Sequence, residues 1–183
     1  MTKYSSKNAR NKFKIAARDQ VFYNIKQHFK PSEDLILLTM PGPYYNKNKT
    51  SYLENQFLNH FHNGRIIAVE RDKTIADIIR PNLRSRMQLR VDSVHDVRIC
   101  YDTVWLDLCG EYTEDIKELC ERYQHASRVK FVAITIGGRS TYGRTLENQI
   151  QQVRGDFKFW TEVGLYSYQN NRSPMRVLMF ARE

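Results

Sequence analysis

Five short apolar runs, each closed by an acid or by glycine or proline, constrain this chain more than any other feature. They are "LILLTM" (35–40), "RIIAVE" (65–70), "MQLRVD" (87–92), "YDTVWLD" (101–107) and "VKFVAITIGG" (129–138). Such runs are too short for helices and too apolar for strands with one wet face, so they read as strands of a sheet covered on both sides. The stretches "TSYLENQFLNHFHNG", "KTIADIIRPNL", "TEDIKELCERYQHAS" and "TLENQIQQV" carry helical spacing instead. In the first of these, Ser51 with Glu54 three residues on reads as a capping box, and Gly64 as a stop. Pro81 breaks the second, and Ile116, Leu119, Cys120 and Tyr123 share one side of the third. Strands alternating with helices predict βαβ units and a mostly parallel sheet. Only a short crossover joins the third run to the fourth.

The ending departs from this rhythm. "FKFWTEVGLYSYQ" and "SPMRVLMFARE" are strand-like and meet through "NNRS" with no helix between them, which demands an antiparallel pair. The expected fold is therefore α/β, with seven strands of which the last is antiparallel. At the other end, Phe13, Ala17, Val21, Phe22, Ile25 and Phe29 recur at steps of three and four, predicting an amphipathic helix over about 8–29, whole or broken in two. Pro31 and Ser32 stop it. The expected division is a basic helical extension over 1–32 and one domain over 33–183.

That extension is where the charge lies. Lys3, Lys7, Arg10, Lys12, Lys14, Arg18, Lys26 and Lys30 stand against the single acid Asp19, giving +7 of the formal +9. The excess suggests an anionic partner, most simply nucleic acid held through its phosphates; the bland alternative is a solvated helix face. Cys100, Cys109 and Cys120 form an odd set without a CxxC pair, which argues for free thiols in a reducing cytoplasm rather than a disulfide framework or a zinc site. His60 and His62, two apart, would diverge on a helix and not share a metal. No apolar run reaches membrane-spanning length and no secretory signal is visible.

Acids stand at three successive strand ends: Glu70, Asp92 and Asp107. In open α/β sheets ligands bind beyond the carboxyl ends of the strands. With the terminal hairpin, this pattern over 33–183 resembles the class I S-adenosylmethionine-dependent methyltransferases. The resemblance implies a Rossmann-like sheet of order 3-2-1-4-5-7-6 with helices on both faces, and S-adenosylmethionine as cofactor. It implies that Glu70, in "VERDKTIADIIR", accepts from the ribose hydroxyls, and that Asp92, in "RVDSVHDV", lies near the adenine amine. Asp107 would face the methyl acceptor as the catalytic carboxylate, accepting a proton or hydrogen bond from its amine or hydroxyl. The family usually closes strand 1 with a glycine-rich E/DxGxGxG turn, whereas this chain has "TMPGPYY". Gly42 alone permits a close backbone approach there, and the flanking prolines remove two donors. Glu54 would replace lost contacts or cap its helix.

Enzymes of this family that methylate amines of nucleic acids carry a (D/N)PP(Y/F) turn after strand 4, where the aromatic ring stacks on a flipped base. Here "DLCG" is followed by Glu111 and Tyr112, without the prolines. Cys109 resembles the cysteine nucleophile of cytosine-5 methyltransferases in position, but Glu111, Glu114 and Asp115 oppose a thiolate, so a packed thiol is the expectation. In "GGRSTYGR", Arg139, Tyr142 and Arg144 are candidate substrate-binding residues, and Tyr168 and Arg172 of "YSYQNNRS" would share the same rim. The bland reading of Tyr166 and Tyr168 is cross-strand packing.

The expected function is methyl transfer to DNA or RNA, the substrate being gripped by the basic N-terminal helix, by the two rim loops, or by a partner, another protein or a second copy of the chain. One alternative is a degenerate relative that binds nucleic acid or serves in assembly without turnover. Another is a methyltransferase for a protein or small molecule.

Overall fold

The computed structural model describes residues 12–43, 45–137, 145–170 and 173–183, apart from the side chains of Cys109 and Asn170. The strands are β1 (Ile36–Thr39), β2 (Arg65–Val69), β3 (Met87–Arg90), β4 (Thr103–Gly110), β5 (Phe131–Gly137), β6 (Thr161–Asn170) and β7 (Ser173–Ala181). The helices are α1 (Lys12–His28), α2 (Leu53–His60), α3 (Lys73–Ile79), α4 (Glu114–His125) and α5 (Leu146–Asp156), with a 3₁₀ turn at Arg80–Asn82.

These strands form one sheet of order β3-β2-β1-β4-β5-β7-β6, as expected. β1 pairs in parallel with β2 and β4, β2 with β3, and β4 with β5. β7 runs antiparallel between β5 and β6. Every residue of β5 is buried, which explains its unbroken apolar sequence: helices cover both of its faces. The strand order reverses between β1 and β4, and in open α/β sheets ligands bind beyond the carboxyl ends of the strands at such a switch point.

Two cores lie on opposite faces of the sheet. On one, Leu37, Trp105, Phe131 and Val177 pack under α1 and α2. On the other, Leu38, Val104, Val132 and Leu178 pack under Ile116, Leu119 and Tyr123 of α4 and Ile150 and Val153 of α5. Alternation along each strand sends neighbouring residues to the two cores.

α1 is one unbroken helix whose buried side differs from the expected stripe. Ala17, Val21 and Ile25 are buried, but Phe13 is largely exposed while Arg18 is enclosed. Positions 14, 18, 21 and 25 fall on one face at helical spacing, so the sheet receives a lysine and an arginine along with the aliphatics.

Ser51 does not cap α2. Its N-cap is Tyr52, with no side-chain hydrogen bond, and Glu54 is buried instead. Side-chain caps operate at α3, α4 and α5, through Asp72, Thr113 and Thr145. At the far end of α2, Arg86 Nη1 donates to the carbonyls of Phe61 (2.7 Å), His62 (2.8 Å) and Gly64 (2.9 Å), satisfying the helix exit. Gly64 is needed there for close packing: a Cβ would lie 2.9 Å from Phe57 Cε1 and 2.9 Å from Phe61 Cβ. Gly64→Ala should therefore cost about 1–3 kcal/mol, seen as a lower urea midpoint at unchanged slope. An unchanged midpoint would mean that the α2 exit relaxes freely.

Candidate cofactor and acceptor site

The loop after β1 is tied down before it reaches α2. Tyr45, buried, has its hydroxyl 2.8 Å from Asn55 Oδ1 and 3.1 Å from Met87 Sδ. Asn55 Nδ2 donates to the carbonyls of Asn46 (2.9 Å) and Lys49 (2.7 Å). Within this loop Gly42 has φ +71°, the left-handed region that glycine tolerates, and a Cβ there would meet nothing within 4 Å. The turn thus presents open backbone beside the switch point.

Glu70 follows β2 directly. Its N–H donates to the Arg90 carbonyl (3.0 Å) and its Oε1 accepts from Asp72 N (2.9 Å), which fixes the half-buried carboxylate at the strand end. Asp92 is exposed beyond β3. The segment after it is held by Arg122 of α4, which donates to the carbonyls of His95 and Val97. Both acids lie on loops at the carboxyl edge that also holds Gly42.

Asp107 is placed differently from the sequence expectation. β4 continues through it to Gly110 instead of ending on it. Leu106 lies opposite Ile134 and Gly110 opposite Ile136, so the strand carries a bulge across 107–109. Such irregularities re-aim side chains. The Asp107 side chain is only 6% exposed and forms a 2.6 Å ion pair with Lys14 Nζ, reaching across from α1.

A second pair of opposite charges lies close by. Glu54 is 1% exposed, and its Oε1 accepts from Thr39 Oγ1 at the end of β1 (3.0 Å). Burial pushes its carboxyl above the usual range; Arg18 and the Thr39 hydroxyl pull it down, and Asp107 pushes it up. Arg18 is 4% exposed, with its guanidinium carbon 4.6 Å from the Tyr52 ring centroid. Three atoms of this pair have no hydrogen-bond partner: Arg18 Nε, Arg18 Nη1 and Glu54 Oε2. Each orphaned buried group costs about 1–3 kcal/mol, so the arrangement is not optimised for stability alone.

A pH dependence follows from Glu54. A carboxyl whose folded pKa is raised binds its proton more tightly in the folded state. The stability it contributes is full below the usual carboxylate range and is lost as pH rises through the folded value. Glu54→Gln does not titrate, so relative to the parent chain it should gain stability from pH 4 to pH 8, read as diverging urea midpoints. Parallel midpoints would show that Glu54 ionises without penalty.

Of the other expected site residues, Tyr168 is 5% exposed within the core and stacks on Tyr166 at 6.3 Å, so its face is not offered to a base. Arg139, Tyr142, Arg144 and Arg172 lie outside the described residues, as does the Cys109 side chain. Cys120 is a packed free thiol, its pKa pushed up by burial. Among the described residues no cluster of metal-ligating side chains occurs, and no helix is long and apolar enough to cross a membrane. Lys14, Arg18 and Glu54 were not singled out together by the sequence, although a signal existed: each lies at helical spacing from core aliphatics, with complementary sign on α1 and α2.

No protein-family model and no curated protein matches the chain. Solved structures do. Magnesium protoporphyrin IX methyltransferase from Synechocystis PCC 6803, with bound S-adenosylmethionine, superposes with TM-score 0.70 at 12% identity, over 100% of this chain and 86% of that one. The fold is that of the class I methyltransferases. A precorrin-6y C5,15-methyltransferase from Geobacter metallireducens GS-15 gives 0.57 at 16% identity, covering 92% and 88%. A candidate RNA methyltransferase from Pyrococcus horikoshii gives 0.61 at 11% identity, covering 91% and 84%. The class I likeness takes in α1 as well as the sheet, since the first of these matches spans the whole chain.

Proposed function

We propose that this protein transfers a methyl group from S-adenosylmethionine to a nucleic acid. The observation that carries the reading is the row of site elements at the carboxyl edge: Gly42 with its open side after β1, Glu70 after β2 and Asp92 after β3. The chemistry of this donor set fits the cofactor. A carboxylate at Glu70 accepts from two ribose hydroxyls, and Asp92 accepts from an exocyclic amine. Unpartnered buried polar atoms at Arg18 and Glu54 further indicate a site built for a polar ligand.

When bound, the cofactor supplies an electrophilic methyl carbon on a positively charged sulfur; the chain's own residues bind, orient and hold protons. Asp107, re-aimed by the β4 bulge, accepts a hydrogen bond from the acceptor's amine or hydroxyl and orients its lone pair. Lys14 Nζ holds that carboxylate in the meantime and yields it to the substrate.

Nucleic acid is favoured as substrate by charge. The chain carries a formal +9, and Lys47, Lys49 and Arg71, on the loops after β1 and β2, and Lys73, at the start of α3, are exposed. On α1, Lys12 and Lys26 face outward whereas Lys14 and Arg18 turn inward. Lys3, Lys7 and Arg10 of the basic extension lie outside the described residues. The test is transfer of labelled methyl groups to RNA and DNA pools, with binding followed against salt. Label in nucleic acid and a steep salt slope support the reading; label in protein or small molecules alone would overturn the substrate class.

A non-catalytic nucleic-acid-binding module is the second reading, and the Lys14–Asp107 ion pair favours it, because an ammonium already occupies the acceptor acid. It predicts salt-sensitive binding without transfer, whether or not Lys14 is replaced by methionine.

A further inference from the structure

We infer that Arg18 and Glu54 form a seat for an α-amino-carboxylate group, Arg18 taking the carboxylate and Glu54 the ammonium. Resting on the methyltransferase reading, this group is the amino-acid end of S-adenosylmethionine, and α1 is then part of the cofactor site.

Burial and unmet hydrogen bonding together support the seat. Arg18 and Glu54 are 4% and 1% exposed, yet Arg18 keeps two donors and Glu54 one acceptor without partners. Although the two charges already face one another, the hydrogen-bond partner each lacks is of opposite kind: acceptors for the guanidinium nitrogens and a donor for the carboxylate oxygen. An amino-acid zwitterion carries both on one carbon. Their positions also suit it. Glu54 is fixed to the end of β1 through Thr39, Asp107 is near enough to influence Glu54, and α1 packs against α2. All lie at the switch point, next to the Gly42 turn.

The sequence supplies a reason for such a seat. A turn rich in glycine holds an anion with backbone N–H groups, but Pro41 and Pro43 on either side of Gly42 have none to give. Side chains must then supply the charge complement, and Arg18 and Glu54 are the unpartnered ones in place. Glu54 is also released from the capping role that its spacing from Ser51 suggests, since α2 has no side-chain cap.

The experiment compares three probes by calorimetry: S-adenosylhomocysteine, 5′-methylthioadenosine, which lacks the amino-acid end, and methionine alone. The parent chain should bind the first about 100-fold more tightly than the second, the lower end of the range for two charge-assisted contacts. In Arg18→Met and in Glu54→Gln this preference should fall below about 10-fold, with the affinity for methylthioadenosine unchanged. Should Arg18→Met not fold, the isosteric Glu54→Gln decides alone. Equal affinity for both nucleosides in the parent would overturn the seat, leave the cofactor reading intact and assign the unpartnered atoms to water. Binding of methionine but neither nucleoside would keep the seat, with a free amino acid as its ligand, and overturn the methyltransferase reading. No binding of any probe by folded protein would overturn both.

Discussion

Asp107→Asn is expected to lower single-turnover methyl transfer by about 10²–10⁴-fold while leaving the affinity for S-adenosylhomocysteine within a factor of about three. Asparagine keeps the size of the side chain and a carbonyl oxygen toward Lys14, but it loses the anion that holds an acceptor's proton. The choice of asparagine matters because the ion pair with Lys14 is nearly enclosed, the two side chains being 16% and 6% exposed. Alanine would remove the oxygens that Lys14 contacts as well as the charge, so lost activity could not be told from lost fold. Unchanged transfer in Asp107→Asn would reduce Asp107 to a structural partner of α1.

Glu70→Ala should act on the other half of the reaction. Two charge-assisted hydrogen bonds to ribose hydroxyls are worth about 3–6 kcal/mol, a loss of about 10²–10⁴-fold in cofactor affinity. The fold should survive, because the Glu70 carboxylate accepts from a local N–H, that of Asp72, and Asp72 still caps α3 through Thr74 and Ile75. Calorimetry beside thermal melting separates the two effects. Retained affinity in a variant of unchanged Tm would remove the ribose from Glu70.

Much of the architecture was legible in the sequence because it rests on local pattern. Runs such as "FVAITIG" are buried over their full length, and only a strand covered on both faces requires that. The short "NNRS" connection leaves room for nothing but a hairpin, and β6 and β7 pair accordingly. Strand-end acids were legible for the same reason, since a strand that stops on an acid marks its own carboxyl end. Glu70 and Asp92 fit this pattern.

The misses share a different cause. Charges at positions 14 and 18 of an amphipathic helix are normally read as its wet side, but only three-dimensional packing decides which stripe turns inward. Here Phe13 faces out and Arg18 faces in. The spacing of Ser51 and Glu54 matched a cap, yet Glu54 is drawn to Thr39, a contact between α2 and β1 that no local window contains. The bulge in β4 is equally silent, because "TVWLDLCG" keeps a strand-like composition through the irregularity. Tyr168 had two readings, a stacking platform or core, and tertiary burial selected the second.

The most direct test of the account is calorimetric titration of the intact protein with S-adenosylmethionine and S-adenosylhomocysteine, with Glu70→Ala and Asp92→Ala as controls. Saturable binding of both ligands, weakened in each control, is the result predicted. Absence of heat with either ligand, in protein shown to be folded by its melting transition, would contradict the cofactor site and leave only the binding module.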